Sequence, residues 1–410
     1  MKLTKHIYLL SGMVLLAMTQ VNAQAPCDTI TGTICKSIIA DTVFNPYVTG
    51  VLGNWRANKS YTYYARRTEQ DPTTVTNIRR DGTFKDFSVF WAFQDNRLAA
   101  APDTNRWVWN SELTLFNRKG FEIENRDPLG RYNAGLYGYN LTMPVAVVQN
   151  SRYRESAYEG FEDYVFATQL CDTACPATRH IDYSGWRSHI DTTQRHTGLR
   201  SLKVQGSNGA DIGLSFEVKN TTQDSVMPKL NFALKQDNCI GTVLNNIKTS
   251  GKILLPVFSP VPGKRMVISA WVKETGDTTL RNTYTKNKIV ITDGSTALTF
   301  YPSGSIIEGW QRYEGVFTIG ANATMITISL QSIGANAVYF DDLRIHPFNA
   351  NMKSFAFHPV NLRLMAELDE NNYATLYEYD DEGTLIRLKK ETQRGVKTIK
   401  ETRSALVKEN

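Results

Sequence analysis

From about residue 44 onward the chain is written in short runs of Tyr, Phe, Trp, Val and Ile. They alternate with polar positions and stop, every ten or so residues, at Gly, Asn, Asp or Pro. That punctuation predicts an all-β chain. "SYTYYARR", "FSVFWAF", "RWVWNSELTLFN" and "GFEIEN" read as strands, and "DGTF" at 81–84 and "NRKG" at 117–120 read as turns. Residues 142–161, "TMPVAVVQNSRYRESAYEGF", depart from the pattern. Their Ala, Arg and Glu content, with Pro144 near the start, predicts a helix or an irregular linker.

Between residues 159 and 347 the runs "RSLKVQG", "GLSFEVKN", "RMVISAWVKE", "KIVITDG", "WQRYEGVFTI", "TMITISLQSI" and "AVYFDDLRI" each alternate apolar and polar positions. Ile268, Ala270 and Val272 share one strand face, and Ser269, Trp271 and Lys273 share the other. So many short strands with turns between them predict a two-sheet sandwich or jelly roll. Residues 348–410 hold further strands joined by "DENN" and "DDEG", one or two hairpins that need another unit to pack on. The expected organisation is thus 1–23 leader, 24–158 β-rich region with a short helical linker, 159–347 sandwich, and 348–410 hairpins with a basic tail. One local conflict stands out. Asp341 and Asp342 sit between Phe340 and Leu343, so one acid points into the core unless the strand bulges or the acids find a partner.

Composition refines this picture. The first 23 residues carry Lys2 and Lys5, then an apolar run too short to span a bilayer, then small residues at Ala23 and Ala25, the order of a secretory signal peptide. The expected location is therefore secreted or on the outer cell surface, with no membrane span after cleavage. The formal charge of +6 becomes +4 without the two leader lysines (6 − 2), and the bases are mixed with acids, which speaks against a nucleic-acid partner. Five cysteines in an exported chain permit disulfides. Cys27 with Cys35 and Cys171 with Cys175 are the nearest pairings, and the short "CDTACP" loop favours Cys171 with Cys175.

Enzyme signatures are scarce. HExxH, GxSxG, GxxxxGKS and GxGxxG do not occur, and none of the six histidines pairs with Cys or Ser at a recognisable spacing. Glu122 and Glu124 share a strand face, and the expectation is a solvated outer face rather than a catalytic pair. His196, in "HTG", reads as a structural turn residue, and Trp271 and Trp310 read as packing residues. A non-catalytic protein is expected.

"GFED" (160–163), "GW" (185–186), "HTGLRSLKV" (196–204), "RMVISAWVK" (265–273), "GWQRYEGVF" (309–317) and "YFDDLRI" (339–345) follow one another as in galactose-binding-like jelly rolls. The block resembles that fold, which includes many carbohydrate-binding modules. The resemblance implies a structural calcium held by Glu162, the backbone around Thr197 to Leu199, and Asp341 or Asp342, a hard oxygen set suited to that ion. It also implies glycan or a cell-surface polymer as partner. Aromatic platforms beside polar loops would serve such a ligand, and Trp186, Tyr284 and Tyr301 are the candidates. "YEYDDEGTLIRLKKE" resembles a YD repeat of RHS-type surface proteins, and residues 113–139 carry a looser version of its rhythm. With the jelly roll, the arrangement looks like secreted Bacteroidota proteins with RHS-type segments. Two roles follow from the resemblance, a binding or adhesion protein and a scaffold segment that contacts other RHS-type segments.

Overall fold

The computed structural model describes residues 57–64, 88–94, 97–117, 120–164, 179–206, 209–220, 229–237, 241–250, 257–276, 282–294 and 296–402. The leader, all five cysteines and therefore the Cys171–Cys175 pairing lie outside the described residues. The chain divides into two units, one of residues 1–55 with 224–253 and one of 56–223 with 254–410. In the first, the described part is an antiparallel hairpin of Lys229–Asp237 and Gly241–Ser250.

The sandwich of the second unit is all-β, as the alternating runs require. One layer is a seven-stranded sheet in the order Ser303–Ile307, Trp310–Thr318, Arg265–Glu274, Val338–Pro347, Ser201–Val204, Ile190–Asp191, with Ala157–Glu159 also pairing to Val338–Pro347. The other is a four-stranded sheet in the order Ala210–Glu217, Met325–Ser332, Asn287–Thr292, Ala297–Phe300. The inward faces meet in one core. Ile268, Ala270, Val272, Phe340 and Ile345 come from the first layer, and Ile212, Ile289, Ile291, Ile328 and Leu330 from the second. Buried side chains of this size each stabilise the fold by roughly 1.5–3 kcal/mol.

A second body of structure is a ten-stranded antiparallel sheet. Its order is Lys59–Tyr63, Trp107–Phe116, Glu122–Arg126, Tyr132–Gly138, Met143–Gln149, Asn351–Phe357, Leu364–Leu368, Ala374–Tyr379, Leu385–Thr392, Gly395–Glu401. Strands from both ends of the chain share it, because Met143–Gln149 pairs with Asn351–Phe357 through Val148 and Met352. The sandwich is therefore an insertion between two neighbouring strands of a hairpin sheet. The stretch 142–161 is a correction to the sequence expectation. It forms the strand Met143–Gln149, a short 3-10 turn at Tyr153–Glu155 and the strand Ala157–Glu159. Ala146 and Val148 are buried while Val147 and Gln149 face out, so a period of two governs where the helix-favouring residues after it suggested otherwise.

One turn recurs along this sheet, at Asn117, Asp127, Asp369 and Asp380. In each, the N–H of the fourth residue donates to the first carbonyl, at 2.9 Å for Gly120, Gly130, Asn372 and Gly383. The first side chain accepts the N–H of the fifth residue, Phe121, Arg131, Tyr373 or Thr384. The fourth position is left-handed (φ 86, 76, 65 and 88°), which explains glycine at three of the four. The exception, Asn372, is 1% exposed and has a second task. Its Nδ2 donates to the Asp342 carbonyl and to Ser269 Oγ, both at 3.3 Å, and its carbonyl accepts Trp271 Nε1–H at 2.7 Å.

This turn is one staple between hairpin sheet and sandwich. Another is Arg344, fully buried, whose guanidinium donates to Ser354 Oγ and to the carbonyls of Met352, Leu368 and Asp369. Both outer-face tryptophans, Trp271 and Trp310, are buried with Ile307 and Tyr339 beneath them, so the packing role expected for them holds. Asn372→Gly should keep the turn and lose the two side-chain bonds, destabilising the protein by about 1–2 kcal/mol. Asn372→Ala adds left-handed strain and should cost about 1 kcal/mol more. Urea denaturation of the full chain reads both, and equal stability of the two variants would contradict the assignment.

Candidate functional site

The strand Val338–Pro347 resolves the conflict between its two acids. Val338 and Phe340 face the sandwich core, and so do Leu343 and Ile345, a one-residue slip in phase. The slip coincides with a register shift opposite Ser269 and Trp271 and with a positive φ of 48° at Asp342. A bulge thus keeps both carboxylates off the apolar face. Every residue of the strand is nevertheless buried, because the hairpin sheet covers the other side.

The turn His196–Leu199 closes over these acids. Asp341 Oδ2 accepts the N–H of His196 (2.8 Å) and Thr197 (3.3 Å), and Asp341 Oδ1 accepts the N–H of Asp342. Asp342 accepts the hydroxyls of Tyr158 and Thr197, each at 2.9 Å to Oδ1. Glu162 enters from the 3-10 turn Glu162–Tyr164, where its Oε1 accepts the N–H of Leu199 and Arg200 at 2.7 and 2.8 Å. Gly198, with φ +59°, makes room, since a Cβ there would lie 2.2 Å from Glu162 Oε1. The acids from the two ends of the segment therefore hold one turn, Asp341 through the N–H groups of His196 and Thr197 and Glu162 through those of Leu199 and Arg200, while the Thr197 hydroxyl serves Asp342.

His196 carries the positive charge of the pocket. Nδ1 lies 2.7 Å from Asp342 Oδ2 and Nε2 lies 3.0 Å from Glu391 Oε1, so both nitrogens face carboxylates and both hold protons. Its ring stacks on Trp271 at 4.1 Å between centroids. Burial opposes the charged imidazolium, but Glu391 and Asp342 outweigh it and raise the pKa to about 10. Burial pushes Glu162 up to about 8, offset in part by the two backbone N–H groups. Burial and the neighbouring Asp342 raise Asp341 well above the usual carboxylate range. Three carboxylates, Asp341, Asp342 and Glu391, thus act on one imidazolium, and Glu162 Oε2 is buried with no hydrogen-bond partner.

The three aromatic candidates do not converge. Trp186 is half-buried against the sandwich core and sits edge-on to His189. Tyr284 is also packed on the core, and its hydroxyl donates to the Gly309 carbonyl. Tyr301 alone is open, 56% exposed, directly after the strand Ala297–Phe300. Glu122 and Glu124 are not a pair, and Glu124 corrects the expectation of a solvated face. It is buried, accepting the Thr114 hydroxyl and the Tyr153 N–H, because pairing with Trp107–Phe116 is bulged beside it.

Among the described residues, the outer face of the four-stranded sheet is exposed at Asp211 and Ser215 and half-buried at Gln331, Lys288, Thr327 and Thr292. Across it run the aligned rows Asp211, Gln331, Lys288 and Ser215, Thr327, Thr292. Gln331 Nε2 donates to Ser329 Oγ, Ser329 Oγ donates to Asp211 Oδ2, and Ser215 bonds Thr327. The row Asp211–Gln331–Lys288 runs toward Tyr301, which follows Phe300, the partner of Ile289. This polar face was not identified from sequence, although its residues are the outward half of strands whose inward half was. Glu391 and Asn372 had no local signal, because their partners lie far away in the chain.

No protein-family model matches the chain, and no curated protein matches it. Solved structures are similar at low identity. A CBM35 from Cellvibrio japonicus Abf62 shares 11% identity at a TM-score of 0.23, over 39% of this chain and 83% of that one. A family 16 carbohydrate binding module shares 13% at 0.20, over 38% and 82%. A xylan-binding domain from CBM22 shares 16% at 0.21, over 38% and 80%. At such scores the strand pairings above, not these likenesses, carry the jelly-roll description.

The charges set a pH dependence. His196, at about 10 against an ordinary 6.5, contributes stability that is complete below pH 6.5 and lost as pH rises through 10. Glu162, at about 8 against 4.5, holds its proton more tightly when folded, so its penalty grows between those values. Both act in one direction. In metal-free buffer the melting temperature should fall from pH 5 to pH 10, and Glu162→Gln should flatten the part below pH 8. A Glu162→Gln profile parallel to wild type would contradict this electrostatic account.

Proposed function

We propose that the protein is a secreted, non-catalytic glycan-binding protein whose ligand lies on the outer face of the four-stranded sheet. One observation carries the reading. Among the described residues, the hairpin sheet covers the outer face of the seven-stranded sheet down to a fully buried Trp271, and the other face of the sandwich, polar and internally hydrogen-bonded, is the more exposed one. Amide, carboxylate, ammonium and hydroxyl groups held in fixed rows suit sugar hydroxyls, and Tyr301 offers a ring for the apolar face of a pyranose. Solved carbohydrate-binding modules of similar fold are in keeping with this.

A scaffold role is the second reading, favoured by the insertion itself. The sandwich joins a sheet built from a recurrent Asx-type hairpin turn and is stapled to it by Arg344 and Asn372, as a segment of an RHS-type YD-repeat assembly would be. In that case the sandwich stabilises its neighbours and has no ligand.

Either role accommodates a structural calcium. The donor chemistry of the acid pocket fits it: Glu162 Oε2 is a buried oxygen without a partner, and Asp341 Oδ1 keeps a lone pair beyond its one amide bond. Among the described residues no three His, Cys, Asp or Glu side chains form a cage by themselves, so carbonyl oxygens near Thr197 would complete the six to eight ligands. Calcium would supply positive charge where three carboxylates crowd.

A glycan array probed with the full chain tests the binding role. Gln331→Ala and Tyr301→Ala should each weaken any hit about tenfold, roughly 1.4 kcal/mol, while silence across plant, host and bacterial glycans would favour the scaffold. Calcium at a hundredfold excess over its Kd should stabilise wild type by about 2.7 kcal/mol. Glu162→Gln should abolish that response, and identical melting curves with calcium and with chelator would remove the ion.

A further inference from the structure

The recurrent hairpin turn of the ten-stranded sheet has a variant in the loop that joins Asn351–Phe357 to Leu364–Leu368. Its first residue is His358, and the loop is one residue longer. The His358 carbonyl accepts the Leu362 N–H at 2.9 Å, and the His358 N–H donates to the Arg363 carbonyl at 2.8 Å. The imidazole takes the place that a carboxylate or carboxamide holds in the other turns. Its Nδ1 accepts the N–H of Val360 at 3.2 Å and that of Asn361 at 3.3 Å. Asp127 Oδ1 accepts Leu129 and Arg131 N–H groups in the same way, both at 2.9 Å.

Two N–H groups on one ring nitrogen require that nitrogen to be without a proton. Protonated, Nδ1 becomes a donor that faces two donors, and the ring has to leave. Imidazole is the side chain whose charge changes between about pH 5 and 8. The sibling turns lack this sensitivity at Asn117, a carboxamide, and at Asp127, whose carboxyl the Arg131 N–H holds below its usual range. The His358 loop is also strained. Leu362 is left-handed, with φ 56°, which is costly for a branched side chain. Val360, at the tip, is 83% exposed, so burial does not hold the loop closed. Asn361 Oδ1 fixes the far end by accepting the Arg363 N–H at 3.0 Å.

The charged and titratable groups around the loop come from its own chain and from two neighbouring turns. Arg363 lies over the Tyr379 ring at 5.7 Å, and a Cβ on Gly383 would collide with its guanidinium. In that neighbouring turn the Asp380 carboxylate accepts the Thr384 N–H, while Asp381 and Glu382 are exposed. From the turn after Tyr132–Gly138, the Tyr139 hydroxyl bonds both the carbonyl and the N–H of Phe357. Among the described residues no carboxylate bonds the His358 ring.

We propose that the loop 358–363 is an acid-operated latch at one end of the hairpin sheet. With Nδ1 unprotonated the loop closes on the ring. Protonation expels the ring, frees the N–H groups of Val360 and Asn361, and lets Leu362 leave the left-handed region. The closed loop has no place for a second ring proton and the open loop has, so closure is favoured at higher pH and lost as pH falls. Phe357 stays held by Tyr139, which confines the change to the loop.

Amide NMR of the full, deuterated and nitrogen-15-labelled chain reads the latch directly. Between about pH 8 and about pH 5 the Val360 and Asn361 signals should shift. Their hydrogen exchange, corrected for the intrinsic rate, should rise about tenfold. The amides of Phe121 and Leu129, held by Asn117 and Asp127, should not respond. His358→Asn keeps an acceptor that does not titrate, and should leave the loop closed throughout the range. His358→Ala removes the acceptor and should show the acid-form signals at every pH. Wild-type Val360 and Asn361 amides that do not respond, or that respond as strongly in His358→Asn, overturn the latch.

Discussion

The interaction on which the rest depends is the imidazolium of His196, held between Asp342 of the sandwich and Glu391 of the hairpin sheet and stacked on Trp271. A buried cation with carboxylates on both nitrogens is favourable only while both bodies of structure stay in contact. Removing either acid would leave a charge in a medium that solvates it poorly. His196 thereby couples the electrostatics of the acid cluster to the docking of two sheets that are also joined by apolar packing, by hydrogen bonds from Asn372 and Trp271 and by the Arg344 guanidinium. Arg344 repeats the strategy with different chemistry, its N–H groups satisfied by carbonyls and a hydroxyl instead of a counter-ion. Ionic and hydrogen-bonded contacts fix where the hairpin sheet sits, and the tryptophans beneath supply the buried area.

Much of the fold was legible in the sequence because alternation is a local signal. Ile268, Ala270 and Val272 lie in the core as their spacing requires, and the turns at Asn117, Asp369 and Asp380 fall where the Asn, Asp and Gly clusters put them. Met143–Gln149 departs from the expectation because a short apolar run followed by Arg and Glu suits helix and strand alike; of its two strand partners, Tyr132–Gly138 is adjacent and Asn351–Phe357 lies some two hundred residues away. Asp341 and Asp342 announced a bulge or a partner, and both are present. Nothing local marked Glu391 or Asn372, since a residue acting across a long separation looks like any exposed hairpin residue until the topology is known.

The three aromatic candidates differ in exposure for a physical reason. Trp186, in the 3-10 turn Ser184–His189, and Tyr284, in a loop, each pack partly onto the core, because a large ring beside a sandwich end gains from burial. Tyr301 stays exposed where it follows Ala297–Phe300, the edge strand of the four-stranded sheet. Polarity of the surrounding segment was therefore a poor guide to ring exposure, and position in the sheet was a good one.

Pairing of Met143–Gln149 with Asn351–Phe357 has a consequence for how the molecule is made. During synthesis the first five strands of the hairpin sheet emerge with an unfinished edge, and the strand that completes it arrives only after the whole sandwich has been translated. Closing so long a loop from an unfolded chain is entropically costly. A sandwich that has already folded brings its entry and exit points together and shortens the effective loop. Assembly is thus ordered by connectivity: the inserted domain acts as the clasp that lets the two halves of the sheet find each other.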